Sequence, residues 1–250
     1  MEKLPEWIDT GFLQSRSNHG RVVEGIGRAL VAGNPPAGEL LPRDEELIEL
    51  FGVSRTVMRE AMKTLAAKGM VVAKARVGTR VRPRREWNMF DVQVLRWHLD
   101  VEPSDAFYRQ LFEMRLAFEP FAARLAAQKA TQAEMELISE CVESMRNAED
   151  QTEFSIADLE FHRAVFDAAG NAFFHSVVSL VEAALLSLLR RSSPEPRPEQ
   201  LRSICDRHQQ IADAISARDA PAAHDAMIAV IEVGWSRVFG DAQGPVPLDN

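Results

Sequence analysis

Four side chains able to bind a metal ion fall where a helix would bury an apolar residue. Leu201, Ile204, His208, Ile211 and Ile215 are spaced three, four, three and four apart, so His208 occupies a slot of an inward-facing helical stripe. His224, Ile228, Ile231 and Trp235 repeat the pattern, and Asp158, His162, Val165 and Ala169 put a carboxylate and an imidazole one turn apart on one face. An unpaired buried polar group costs about 1–3 kcal/mol and an unpaired charge several times more. A lone histidine in such a slot is usually a satisfied core residue. Four such residues drawn from three helices argue for a shared cation. Imidazole nitrogens with one carboxylate suit zinc first, with nickel or manganese as alternatives, and leave open positions for water or a ligand. Arg115 lies in the same kind of stripe, with Leu111, Phe118, Ala122 and Leu125. A fixed guanidinium beside a cation requires an anion between them, which a small carboxylate effector supplies by taking the arginine fork and the open metal positions. Glu119, one turn on, offers the alternative of an intrahelical bridge to Arg115.

The elements that must hold these residues are helices. Spans are predicted at 104–129, 132–147, 153–169, 172–191, 199–217 and 220–239, broken by Thr131, Gly170-Asn171, the cluster Pro194, Pro196 and Pro198, and Pro221. Amphipathic helices with short connections bury their stripes on one another, so an antiparallel all-helical bundle is expected. His19, His98 and His175 make no comparable set and are read as structural or exposed.

A second group with chemistry precedes the bundle. LPRDEELIELFGVSRTVMREAMKTLAAKG (residues 41–69) reads as two short helices joined by Gly52-Val53-Ser54, with Ser54 capping the second. There Val57, Ala61 and Leu65 are expected to face inward, and Arg55, Thr56, Arg59 and Lys63 share the opposite side. The bland reading is a solvated face. The alternative is a major-groove surface, since arginine pairs bidentately with guanine O6 and N7, and threonine and lysine hold phosphates or base edges. The strands expected at 71–74 and 79–82, around Arg76-Val77-Gly78, favour the second reading by adding a basic hairpin. The fold class is thus mainly α, an N-terminal winged helix-turn-helix followed by the helical bundle. The divisions are an arm (1–20), a DNA-binding domain (21–85), an aromatic linker expected to dock (86–103), a metal- and effector-binding domain (104–240) and a flexible tail (241–250).

Composition agrees. The chain has 250 residues, 46% hydrophobic and 26% charged, as in soluble globular proteins. Its net charge of −8 hides an asymmetry: residues 1–85 carry 15 Lys and Arg against 10 Asp and Glu, and the remainder 14 against 27. Electrostatics place DNA on the first part alone. Cys141 and Cys205 are too few for a disulfide framework and read as reduced core thiols. Neither a signal segment nor a membrane-spanning run is seen, so a cytoplasmic protein is expected.

The segments LPRDEEL, FGVSRTVMREAMKTLAAKG and RVGT resemble the GntR superfamily of bacterial transcription regulators. That resemblance implies operator contacts from Arg55, Thr56, Arg59 and the wing tip at Gly78. Glu45 departs from members that have an arginine there, and a carboxylate cannot hold a phosphate, so no operator sequence is carried over. FEMRLAFEPFAARLA, ADLEFHRAVFDAAGN, DRHQQIADAI and AHDAMIAVI are similar to the FCD effector domain of the FadR branch, which implies Asp158, His162, His208 and His224 as metal ligands. REWNMFDVQVLRW is similar to the linker of the D-galactonate operon repressor subgroup and implies a sugar acid. The expectation is a homodimeric, non-enzymatic repressor of a sugar-acid operon, released from double-stranded operator DNA by a small carboxylate. A metal-dependent hydrolase on the helical half, or a constitutive DNA-binding protein with a structural metal, are the alternatives.

Overall fold

The structure, a computed structural model, describes residues 17–101, 104–191 and 198–240, without the side chains at 184, 186–191 and 198. Most of the expected N-terminal arm, the tail and the breakers Pro194 and Pro196 lie outside the described residues. The chain divides into two units, residues 1–103 and 104–250.

In the first unit, α1 (Asn18–Val31) starts at Ser17, whose hydroxyl accepts the Gly20 N–H. Its face of Val22, Val23, Ile26 and Leu30 packs into a core with Leu47, Phe51, Met58, Ala61 and Leu65. α2 (Asp44–Phe51) ends on Gly52 in the left-handed region, and Ser54 then caps α3 (Arg55–Ala67) by accepting the Val57 N–H. The buried stripe of α3 runs through Met58, Ala61 and Leu65; Val57, expected inside, is only partly buried at its flank. Strands β1 (Val71–Lys74) and β2 (Gly78–Val81) pair antiparallel, Val71 opposite Val81. Backbone bonds from Leu41 to Thr79 and from Val81 to Glu39 tie the segment before α2 to the wing.

The linker does dock, and onto this unit. α4 (Val92–Asp100) begins at Asp91, which caps it and also holds the buried Lys68 ammonium at 2.6 Å. Trp97 is fully buried and lies over Gly27 of α1, where a Cβ would come within 2.4 Å of its ring. Arg28 pairs with Asp100, and Arg96 with Glu24 at 2.9 Å. Gly69 closes the turn from α3 into β1 at φ +75°, and a Cβ there would meet the Glu86 carbonyl oxygen at 2.3 Å. Both the backbone sign and the space oppose a side chain. Gly69→Ala is therefore expected to lower the urea stability of the full chain by about 2 kcal/mol or more; an unchanged midpoint would contradict this packing.

The second unit is all helix among the described residues: α5 (Asp105–Lys129), α6 (Gln132–Asn147), α7 (Gln151–Ala168), α8 (Val178–Arg191), α9 (Pro198–Ser216) and α10 (Ala220–Phe239). Thr131 and Glu134 form a reciprocal cap on α6, and Asp219 caps α10 just ahead of Pro221. The span expected as one helix at 172–191 is split: Asn171 caps a short 3-10 turn at Ala172–Ser176 before α8. α5 packs along α10, α9 along α10, and α7 against both α5 and α6. The core of this unit includes Phe112, Ala123, Ile138, Phe161, Ile211, Ile231 and Trp235.

Candidate functional site

α7 and α9 bring Asp158, His162 and His208 together, with one ligand atom from each lying within 4.8 Å of the other two. The two imidazoles are 1% exposed, while Asp158 keeps 16% and is the triad member that meets solvent. Tautomers follow from the partners. His208 Nδ1 is 2.8 Å from the Ile204 carbonyl, which can only accept, so Nδ1 carries the proton and neutral His208 presents a lone pair at Nε2. That lone pair lies 2.9 Å from Asp158 Oδ1, acceptor against acceptor. Both atoms are fully buried, and neither makes a hydrogen bond of acceptable angle. A second proton on the ring or a cation between them resolves the conflict, and the donor set of two nitrogens and one carboxylate oxygen suits a borderline divalent metal.

α5 supplies the surrounding groups. Glu119 Oε2 lies 2.7 Å from His162 Nδ1, turning His162 Nε2 towards Asp158 Oδ1, 3.7 Å away. His162 Nδ1 makes no aligned hydrogen bond, but a carboxylate at this distance is placed to orient the ring and raise its basicity as a ligand. Arg115 holds Glu119 through Nε at 2.5 Å and Nη2 at 3.3 Å, and its Nη2 is 3.5 Å from His162 Nε2. The intrahelical bridge is thus present, and the guanidinium also borders the triad. Burial raises the carboxyl pKa values of Glu119 and Asp158, but their neighbours outweigh it and hold both at about 2: Arg115 and then His162 for Glu119, and for Asp158 His208 first, then His162 and Arg115, the histidines contributing in their protonated form.

His224 is a correction to the ligand set expected from the sequence. Its side chain is 38% exposed, with Nδ1 2.9 Å from Asp225 Oδ1, and it is not part of the triad. The reason is axial register. His208 lies eight residues before the end of α9, whereas His224 lies four after the start of α10. In an antiparallel hairpin this leaves them about 6 Å out of level. The α10 residue nearest the triad's level on its inward stripe is Met227. Periodicity along one helix carries no information on that offset.

Of the other histidines, His98 is buried, donates to the Val94 carbonyl and meets Trp87 edge to face, with a pKa pushed down by burial. His19 bonds Thr64, and His175 is exposed.

In the first unit, Arg55, Thr56, Arg59 and Lys63 are all exposed on α3, and Gly78 begins β2 at the wing turn, next to Arg76 at φ +60°. Glu60 lies among these cations, 3.0 Å from Lys63 and 3.5 Å from Arg59. Asp44 and Glu45 of α2 share a shallow concavity with Arg55, Thr56 and Arg59. The surface is therefore mixed in sign, with Arg55 and Thr56 at the exposed N-terminal end of α3.

A helix-turn-helix with a two-stranded wing, joined in sequence to a separate helical domain, is the architecture of a DNA-binding transcription regulator. Residues 18–81 match the model of bacterial regulatory proteins of the gntR family, and residues 110–233 match the FCD domain. The chain belongs to the GntR family and carries an FCD domain. It is 30% identical over 222 residues to the galactonate operon transcriptional repressor of Escherichia coli, covering 87% of this chain and 95% of that one. It is 32% identical over 207 residues to the putative L-lactate dehydrogenase operon regulatory protein of the same organism, covering 81% and 79%. Among solved structures it resembles the Listeria monocytogenes regulator Lar, with a TM-score of 0.57 at 18% identity over 90% of this chain and 98% of that one, a likeness of fold alone. No helix among the described residues is long and apolar enough to cross a membrane.

Proposed function

We propose that the protein is a cytoplasmic, homodimeric, non-enzymatic repressor that leaves its operator when a small hydroxy-carboxylate binds at a metal held by Asp158, His162 and His208. The observation that carries this reading is the buried pair Asp158 Oδ1 and His208 Nε2, which face each other at 2.9 Å without an aligned hydrogen bond. The metal, zinc or alternatively nickel or manganese, would act as a Lewis acid that neutralises an acid ligand's charge. Arg115, already bordering His162, would contact the effector carboxylate through donors that Glu119 leaves over. Arg55, Thr56, Arg59 and Lys63, with the wing backbone at Gly78, would read and position double-stranded DNA, one head per half-site about a helical turn apart. The galactonate and lactate-operon relatives make sugar acids and shorter hydroxy acids the first ligands to try.

Release requires that the acid bind the DNA-free form more tightly, and operator DNA must then weaken acid binding by the same factor. The test is operator binding and thermal shift of the zinc-loaded full chain against L-lactate, galactonate, galactarate and citrate. At least one acid is expected to raise the melting temperature and weaken operator binding. A protein whose operator affinity ignores every acid would instead be a constitutive binder, and this reading would be wrong.

A further inference from the structure

The inward stripe of α10 ends on a charge. Met227, Val230 and Gly234 are buried, and the next slot of the same three-four-three spacing is Arg237, partly buried. Among the described residues no carboxylate or carbonyl lies against its guanidinium, whereas Arg115 on α5 is held by Glu119. Burial disfavours the charged form of Arg237, and the Asp158 carboxylate is the charge that opposes this, so the side chain lies within electrostatic reach of the triad. Placement along the bundle agrees. Trp235 and Phe239 both pack on Phe112, one turn before Arg115 on α5. Arg237 is thus displaced from the triad's level towards the end of α10, by about 13 Å of helix axis reckoned from Ile228. Because helical side chains lean towards the N-terminus, the guanidinium reaches back over part of that distance.

A cation, Arg115 and Arg237 together exceed the charge of Asp158 and Glu119. A ligand with one carboxylate at the metal leaves the second guanidinium unmatched in a partly desolvated site. We propose that Arg237 binds a second anionic group at the far end of the effector, so that the site prefers a hydroxylated dicarboxylate of about six carbons to the corresponding monoacid. The inference rests on the metal-and-carboxylate reading above and narrows its ligand class.

The test compares galactarate with galactonate, which differ only in whether C6 is a carboxylate or an alcohol, by calorimetry on the zinc-loaded full chain. The wild type is expected to bind the diacid about 10- to 100-fold more tightly, as one charge-assisted pair supplies. In Arg237→Gln that preference should collapse to about one, and Arg237→Lys, which keeps the charge but loses the fork, should retain part of it. Equal affinities in the wild type overturn the proposal whether or not the variants fold, as does a preference that survives Arg237→Gln. If galactonate or lactate binds and galactarate does not, the carboxylate reading stands and the second anchor is refuted. If no acid binds, the carboxylate reading fails and this inference with it.

Discussion

His208→Ala is expected to abolish stoichiometric metal binding and, with it, any response of operator binding to acids, while the protein still binds DNA. Two effects combine. The substitution removes one of three ligands and leaves Asp158 facing a void within a buried cluster. His162 keeps its Glu119 support, so the residual site has one imidazole and one carboxylate, too few to fix a divalent ion against water. His208→Gln, closer in volume, separates metal loss from cavity formation. Elemental analysis and operator titrations of both variants check this. Retention of a full metal equivalent in both would mean that the ion, if present, is held elsewhere.

Arg55→Ala is expected to weaken operator binding more than any other single exposed change on α3. Arg55 lies in the first turn of the helix and is exposed, whereas Arg59 and Lys63 both share Glu60. Loss of a bidentate base contact costs about 1–3 kcal/mol per half-site. In a dimer reading two half-sites the loss enters twice, about 2–6 kcal/mol in all. Specificity at the contacted base pair should relax as well. Lys63→Ala should instead weaken binding evenly across sequences and reduce its salt dependence, the signature of a phosphate contact. Selection of binding sites from a random pool distinguishes the two, and identical preferences for wild type and Arg55→Ala would remove Arg55 from base reading.

The DNA-reading unit was legible in the sequence because its signals are local. Ser54 before a basic helix, Gly52 after a short one and Gly78 at the hairpin act within a few residues of themselves. Even there the buried stripe of α3 was read one position early, at Val57 rather than Met58, because two apolar neighbours compete for the same slot. The bundle was legible as helices and as inward polar residues, and three of the four expected ligands do come together. Asp158 and His162 share one helix, so their pairing is fixed by the 3.6-residue turn. Meeting His208 also needed α7 and α9, each packed on α5 and α6, to face one another across the core. His224 satisfied the period and failed the level, since the hairpin between α9 and α10 sets an offset that no one-helix pattern contains. Glu119 was seen only as a partner for Arg115, yet its Oε2 also lies 2.7 Å from His162 Nδ1, because α5 and α7 pack side by side. Arg237 was open to the same stripe argument as Arg115. It went unread because the alternative run through Ile228, Ile231 and Trp235 is more apolar, and it drew the inward face of α10 towards its other edge.

A cation between Asp158, His162 and His208 is the central requirement of the proposed function. Elemental analysis of the full chain, after dialysis against zinc and then against metal-free buffer, tests that directly. The expected result is about one divalent ion per chain, lost in Asp158→Asn. A wild-type protein that retains no ion after exposure to zinc, nickel or manganese would show instead that the His208–Asp158 pair is closed by a proton, and the metal-centred account would be wrong.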